Sequence, residues 1–459
     1  MQANNRHPQT EFDLAIVNGC VIDVVGEKIT KKNIGIKDGK IAKLTDGNIL
    51  GKKVIDAEGL LVSPGFIDFH SHIDGNEFSA ICMAMQGGTT TLGGERELRS
   101  TNISRVEEGF IINQGFFISQ SFVLRHAVGI EDPKRPATRD EIQAMVALAR
   151  TFLENGAFGI SFALELIPGT SFDELLAIAK VAKEFERPII VHIRKDGEEG
   201  LQYFEEIISV AKLTGVSVQI LQLMYMVGIG GVMETALEII EDARVQGLDI
   251  MADSGVYYAY SACIGTGIFE PGWENEYRNT SIEDLVISSG IHVGEHCTKE
   301  LFDILRKDFP QTLVSVFVCD EEAIPVALVK DYVFVSTNAA EGPHYPGVGA
   351  PEVSGTYPRL LGRYVREKKI LTLMEAIKKI TIYPANRFGL KDIGYIGEGT
   401  NADLVIFDEK TIIDQSDFVN RGNPNEPPEG ISFVLVNGQI VVEHGKLTKN
   451  KSAGRFIRR

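Results

Sequence analysis

Over residues 12–62 apolar and polar positions alternate in three short runs, DLAIVNGCVIDV, NIGIKDGKIAKL and KVIDAEGLLVSPG, with Gly19, Gly39 and Gly59 between them. A period of two interrupted by glycine is the pattern of short strands joined by hairpins. The same pattern returns in ADLVIFD at 402–408 and in ISFVLVNGQIVVEHGKL at 431–447, where Asn437-Gly438 predicts a hairpin turn. The two ends are therefore expected to form one small β-sandwich domain, residues 1–63 plus 394–459.

Between them, residues 64–393 change character. Continuous apolar runs (TTTLGG, AFGISF, PIIVHI, VSVQILQL, LDIMAD, TLVSVFV, YVFVST) alternate with helical segments. Thr138 with Glu141, Ser171 with Glu174 and Thr372 with Glu375 fit the capping box that starts a helix. Continuous apolar strands alternating with helices imply a parallel sheet covered on both faces. About eight such units predict an α/β fold with a (β/α)8 TIM-like barrel. A doubly wound open sheet is the alternative, but no Gly-rich dinucleotide turn follows the first strand. Residues 257–299, rich in Tyr and Gly and holding the single tryptophan, Trp273, break the rhythm and predict an inserted lid over the barrel mouth.

Composition narrows the function classes. Sixty-three acidic against 46 basic residues leave a net charge of −17, and 44% of the chain is hydrophobic. That excludes a disordered tail, a collagen-like repeat and a small disulfide scaffold, and the negative balance argues against nucleic acid as a partner. Cys20, Cys82, Cys263, Cys297 and Cys319 are scattered without a CxxC pair, so reduced thiols in a cytoplasmic protein are expected. The first twelve residues lack the apolar stretch of a signal peptide, and no run of about 18 apolar residues suggests a membrane span. The basic residues of 446–459 read as a solvated tail, with an inter-subunit contact in a homo-oligomer as the alternative.

The sharpest chemical signal is PGFIDFHSH, in which His70 and His72 stand at i and i+2. On a strand this spacing turns both imidazoles to one face, where they can meet one metal ion. The pair follows the N-terminal sandwich directly, at the end of the first expected barrel strand, where active sites of such barrels open. Ordinary hydrogen bonding within the barrel mouth is the competing role for His72 and His192. Asp253, in IMADSG, marks another strand end and could equally cap a loop. His344 sits in a Gly- and Pro-rich turn that could reach the cavity or solvent. The tyrosines from Tyr257 could line a pocket or pack a lid, and IHVGEHC, with His292, His296 and Cys297, reads as structural.

PGFIDFHSHID, QGGTTT, GAFGISF, VHIRKDG, GTYPRLLGRYVREKKILTLMEAIKKIT, PANRFGL and GEGTNADLVIFD together resemble the metal-dependent amidohydrolase superfamily, and within it the N-acyl-D-amino-acid deacylases (D-aminoacylases). The resemblance implies a Zn2+-dependent hydrolase that cleaves non-peptide C–N bonds of small molecules, with a metal-bound water as nucleophile and an aspartate after the last strand as proton carrier. His70, His72 and His192 match the family's histidine ligands. Other positions depart from the pattern: Arg96, flanked by Glu95 and Glu97, stands at the family's cysteine, Gln222 at its later histidine, Asn338 at its catalytic aspartate, and Glu352 at its substrate-binding arginine. Carboxamides ligate zinc poorly, and asparagine takes up no proton near neutral pH.

Three readings follow from these departures. One zinc ion survives on His70, His72 and His192 with Glu97 or Glu95. Alternatively, Arg96 occupies the metal's space as a fixed electrophile, with a histidine or Asp253 as base. In the third reading the barrel binds a ligand without turnover. Asn338, Arg96 and Asp253 are the expected catalytic positions, and Glu352, Tyr257 and His344 the expected substrate contacts. Glu352 predicts a recognised group that is neutral or cationic rather than a carboxylate.

Overall fold

The computed structural model describes residues 12–73, 76–93, 109–276, 280–339 and 345–459. The N-terminal alternation yields β1 (Phe12–Asp23), β2 (Lys28–Lys37), β3 (Lys40–Thr45), β4 (Gly51–Asp56) and β5 (Leu61–Pro64). Gly19 is not at a hairpin. It lies inside β1 at a register shift against β2, where a Cβ would stand 2.6 Å from Val62 Cγ2.

Eight parallel staves then close a barrel around a core that includes Phe69, Leu92, Phe117, Phe158 and Phe334. They are β6 (Phe66–Asp68), β7 (Gly88–Gly93), β8 (Asn113–Phe116) running into β9 (Ile118–Ser119), β10 (Ile160–Ala163), β11 (Ile189–His192), β12 (Val218–Ile220), β13 (Ile250–Ser254) and β17 (Val333–Val335). The Asn338 N–H donating to His70 O at 2.9 Å, with a parallel bridge between Ser71 and Ala339, joins the last stave to the first. The barrel is thus the expected one, with two strand corrections. The run TLVSVFV is not a stave: β16 (Leu313–Val316) pairs antiparallel with β14 (Tyr260–Cys263) and β15 (Val286–Ile287), so the excursion expected over 257–299 returns only after β16. The third stave is instead NQGFFIS at 113–119, which is absent from the apolar runs of the sequence because it starts on polar residues.

That polar start is buried for a reason. Asn113 donates to Asp403 Oδ2 at 3.1 Å and accepts from Asn437 Nδ2 at 2.7 Å, so its amide is satisfied across the seam between the barrel and the terminal sheet. The C-terminal strands β18 (Leu404–Phe407), β19 (Ile431–Val436), β20 (Gln439–Glu443) and β21 (Lys446–Leu447) complete a nine-stranded sheet with β1–β5, joined where β18 pairs antiparallel with β5. Asn437 and Gly438, at φ 48° and 75°, make the expected turn between β19 and β20.

Thr138 and Thr372 close full capping boxes, whereas Ser171 caps alone because Glu174 is committed to the buried Arg125. The basic tail is not simply solvated. Gly454 donates to Phe110 O, Ile457 to Gln114 O and Arg459 to Gly156 O, and Phe456 stacks on Phe116 at 5.6 Å, across the end of the barrel where the staves begin. Among the described residues no helix is long and apolar enough to cross a membrane.

Candidate active site

The chain bends at Phe69 and His70 after β6 and keeps the two imidazoles adjacent, ring centroids 5.7 Å apart, with His72 on the cavity wall. His70 is buried. Its Nε2 accepts from the Gln222 amide at 3.1 Å, and its Nδ1 lies 3.5 Å from Asp253 Oδ2. His72 donates from Nε2 to Asn338 Oδ1 at 3.3 Å. His192, the last residue of β11, turns Nδ1 toward Ile193 O at 3.2 Å and Glu165 Oε2 at 3.4 Å. The two carboxamides are held in left-handed backbone, Gln222 at φ 58° and Asn338 at φ 51°. Non-glycine residues tolerate that conformation only where their surroundings fix it. For Gln222 the fixing contact is Asp253, whose Oδ1 accepts its backbone N–H at 2.8 Å.

His72, His192, Gln222 and Asn338 surround a cavity of about 50 Å3 at the C-terminal ends of the staves. Glu165, Asp196, Tyr225 and Tyr260 complete its wall. A smaller cavity of about 20 Å3 shares Asn338 and Ser261 with it and is also lined by Glu352 and Asn425.

Three of these groups escape sequence reasoning. Glu165 and Asp196 become wall residues only through the loops after β10 and β11. Asp68, in the middle of PGFIDFHSH, is fully buried and accepts from the Thr337 hydroxyl, the Thr337 N–H at 3.3 Å and the His70 N–H at 3.2 Å. It pins the last stave to the first directly beneath the site, and burial pushes its carboxyl up to about 6.

Glu352 opens the helix Glu352–Arg359, which Gln86 anchors by donating to Glu352 O at 3.1 Å and Val353 O at 2.6 Å. Its carboxyl accepts from the Tyr225 hydroxyl at 3.3 Å, and burial pushes its pKa up to about 8. At neutral pH it is therefore mainly a neutral acid able to donate a hydrogen bond.

Tyr257 corrects an expectation. It is 1% exposed, its hydroxyl donates to Asp414 Oδ2 at 3.1 Å and the Arg359 guanidinium covers its ring, so it packs the barrel against the C-terminal segment while Tyr260 takes the cavity wall. His292 and His296 go separately to Glu295 and to Glu283 O. The expected site positions Arg96, Glu95, Glu97 and His344 lie outside the described residues.

Models described as "Amidohydrolase family" match residues 61–219 and 344–442. The N-acyl-D-glutamate deacylase of Alcaligenes xylosoxydans xylosoxydans is 27% identical over 98% of this chain and 97% of its own. The D-aminoacylase of the same organism is 27% identical over 98% of both. The crystal structure of N-acyl-D-glutamate deacylase from Bordetella bronchiseptica, complexed with zinc and a phosphonate inhibitor, superposes with a TM-score of 0.84 at 25% identity, covering 98% of this chain and 100% of that one. The chain belongs to the amidohydrolase superfamily.

The resemblance implies a zinc site around His70, His72 and His192. Among the described residues no group of three or more His, Cys, Asp and Glu side chains is placed to hold an ion. The Nε2 atoms of His70 and His72 instead face the carboxamides of Gln222 and Asn338, one accepting and one donating. The described residues alone therefore do not fit a metal centre.

Proposed function

We propose that this amidohydrolase cleaves a non-peptide C–N bond, amide or cyclic amide, in a small molecule whose recognised group is neutral rather than a carboxylate. One observation carries the reading: the small cavity that shares Asn338 with the histidine-lined one is also lined by Glu352, which is buried and mainly uncharged at neutral pH. A neutral carboxyl there donates to a carbonyl or amide oxygen, while its ionised form would repel a substrate carboxylate.

The residues divide the work by chemistry. His192, beside Glu165, and His70, beside Asp253, are the imidazoles set against carboxylates at the site, the pairing that general acid–base work uses. Gln222 and Asn338 only hydrogen-bond, and so position the substrate and the rings. Asn338 also favours a second reading, binding without turnover, because a carboxamide takes up no proton where the family's aspartate would.

Turnover of N-acetyl-D-amino-acid amides should exceed that of the matching free acids at least tenfold in kcat/KM. Ready hydrolysis of N-acetyl-D-glutamate or N-acetyl-D-methionine would refute the neutral-group assignment, and binding of the amides without hydrolysis would favour the second reading. Elemental analysis of protein purified without chelators, together with the His70→Ala and His192→Ala variants, reads the metal content directly.

A further inference from the structure

The reaction cavity, at about 50 Å3, holds little more than the scissile group, whereas small-molecule sites commonly enclose roughly 300–1,000 Å3. The remainder of a substrate must lie elsewhere. A second cavity of about 670 Å3 adjoins the first on the same face of the barrel. Leu166 lines both, and the segment from β14 to the turn Gly267–Phe269 separates them, with Ala262 and Ile268 toward the reaction cavity and Cys263 and Gly267 toward the larger one. One side of the large cavity is apolar, formed by Phe122, Val123, Leu166 and Ile167, while Thr266 and the exposed Pro310 and Gln311 lie along the other. Its charged pair, His126 and Glu131, is solvent-exposed, with side chains 51% and 79% accessible, so the charges belong to the rim.

We infer that this cavity receives an unbranched apolar substituent of the substrate, carried on the amide that is cleaved beside His72 and His192, and that the chain selects substrates by the length of that substituent. The inference rests on the C–N hydrolase reading for the identity of the amide. The physical basis is burial: each methylene moved from water into such a cavity contributes about 0.8 kcal/mol when fully covered, a gain of roughly fourfold in affinity. Gly267 supplies the control, because a Cβ added there meets no atom within 4 Å and its backbone is not left-handed. Gly267→Phe therefore adds a ring at the cavity wall with no neighbour in the way of its Cβ, and an unchanged melting temperature would verify that the variant folds.

The probes are acetamide, butanamide, hexanamide and octanamide, titrated calorimetrically against the full chain and its Gly267→Phe variant, with hydrolysis followed separately by ammonia release. Affinity should rise about threefold per methylene in the wild-type chain, and the variant should lose at least tenfold on octanamide while acetamide is unaffected. A ladder that rises less than twofold from end to end, or one that Gly267→Phe leaves intact, would overturn the inference. A rising ladder that Gly267→Phe abolishes, without ammonia release, would keep the cavity and reject the hydrolase reading.

Discussion

Glu352 carries its proton at a position where water is excluded, and that has a consequence for stability as well as recognition. The native state binds this proton up to about pH 8, while the unfolded chain releases it near the ordinary value of 4.5. Between those limits the folded state holds more protons, so stability is complete below about 4.5 and declines as pH rises, by at most about 1.4 kcal/mol per pH unit. Glu352→Gln removes the titration. The variant should match the wild-type chain in urea denaturation near pH 4, exceed it at pH 6 and exceed it further at pH 8; a wild-type advantage that grows with pH would contradict the assignment. The same substitution keeps a donor facing the small cavity, so amide binding should survive it. How far the site was legible also belongs to this scale. His70 and His72 are readable as a pair because their closeness needs only sequence spacing. Glu165 and Asp68 are not, since a carboxylate after one strand acquires a partner only when the register with another strand is known. Tyr257 was misassigned because a run of tyrosines does not reveal which hydroxyl faces Asp414.

The elements that hold the site are joined by few, specific contacts. β6 and β17 meet through Asp68 and Thr337 directly below the histidines. Thr337→Val keeps the side-chain volume and removes one donor from a buried carboxylate, which should cost about 1–3 kcal/mol in chemical denaturation. A loss below about 0.5 kcal/mol would mean that the contact is incidental. The eight-stave rhythm was legible because apolar runs alternate with capped helices. The third stave was hidden by Asn113 and Gln114, polar residues that are buried only because Asp403 and Asn437 satisfy Asn113 from a sheet formed by the other end of the chain. TLVSVFV has the composition of a stave and belongs to the inserted sheet, since apolar content fixes burial and not the partner strand.

At the scale of the molecule, the final residues act as a base for the barrel. Phe456 covers Phe116 and Ile457 packs against the interior of the ring, while backbone bonds fasten residues 454–459 to the chain near Phe110, Gln114 and Gly156. Deleting 454–459 should lower the melting temperature by several degrees, in line with about 2–4 kcal/mol of lost packing and hydrogen bonding, and leave amide binding at the opposite face intact. A deletion that melts as the full chain does would return the tail to the surface role its charge suggests. The seam between β5 and β18 matters before the fold exists at all. On the ribosome β5 emerges early with an open edge, and its partner follows only after the whole barrel has been made. A message truncated before β18 would therefore yield a chain with a bare β edge that templates aggregation, and not a shortened enzyme.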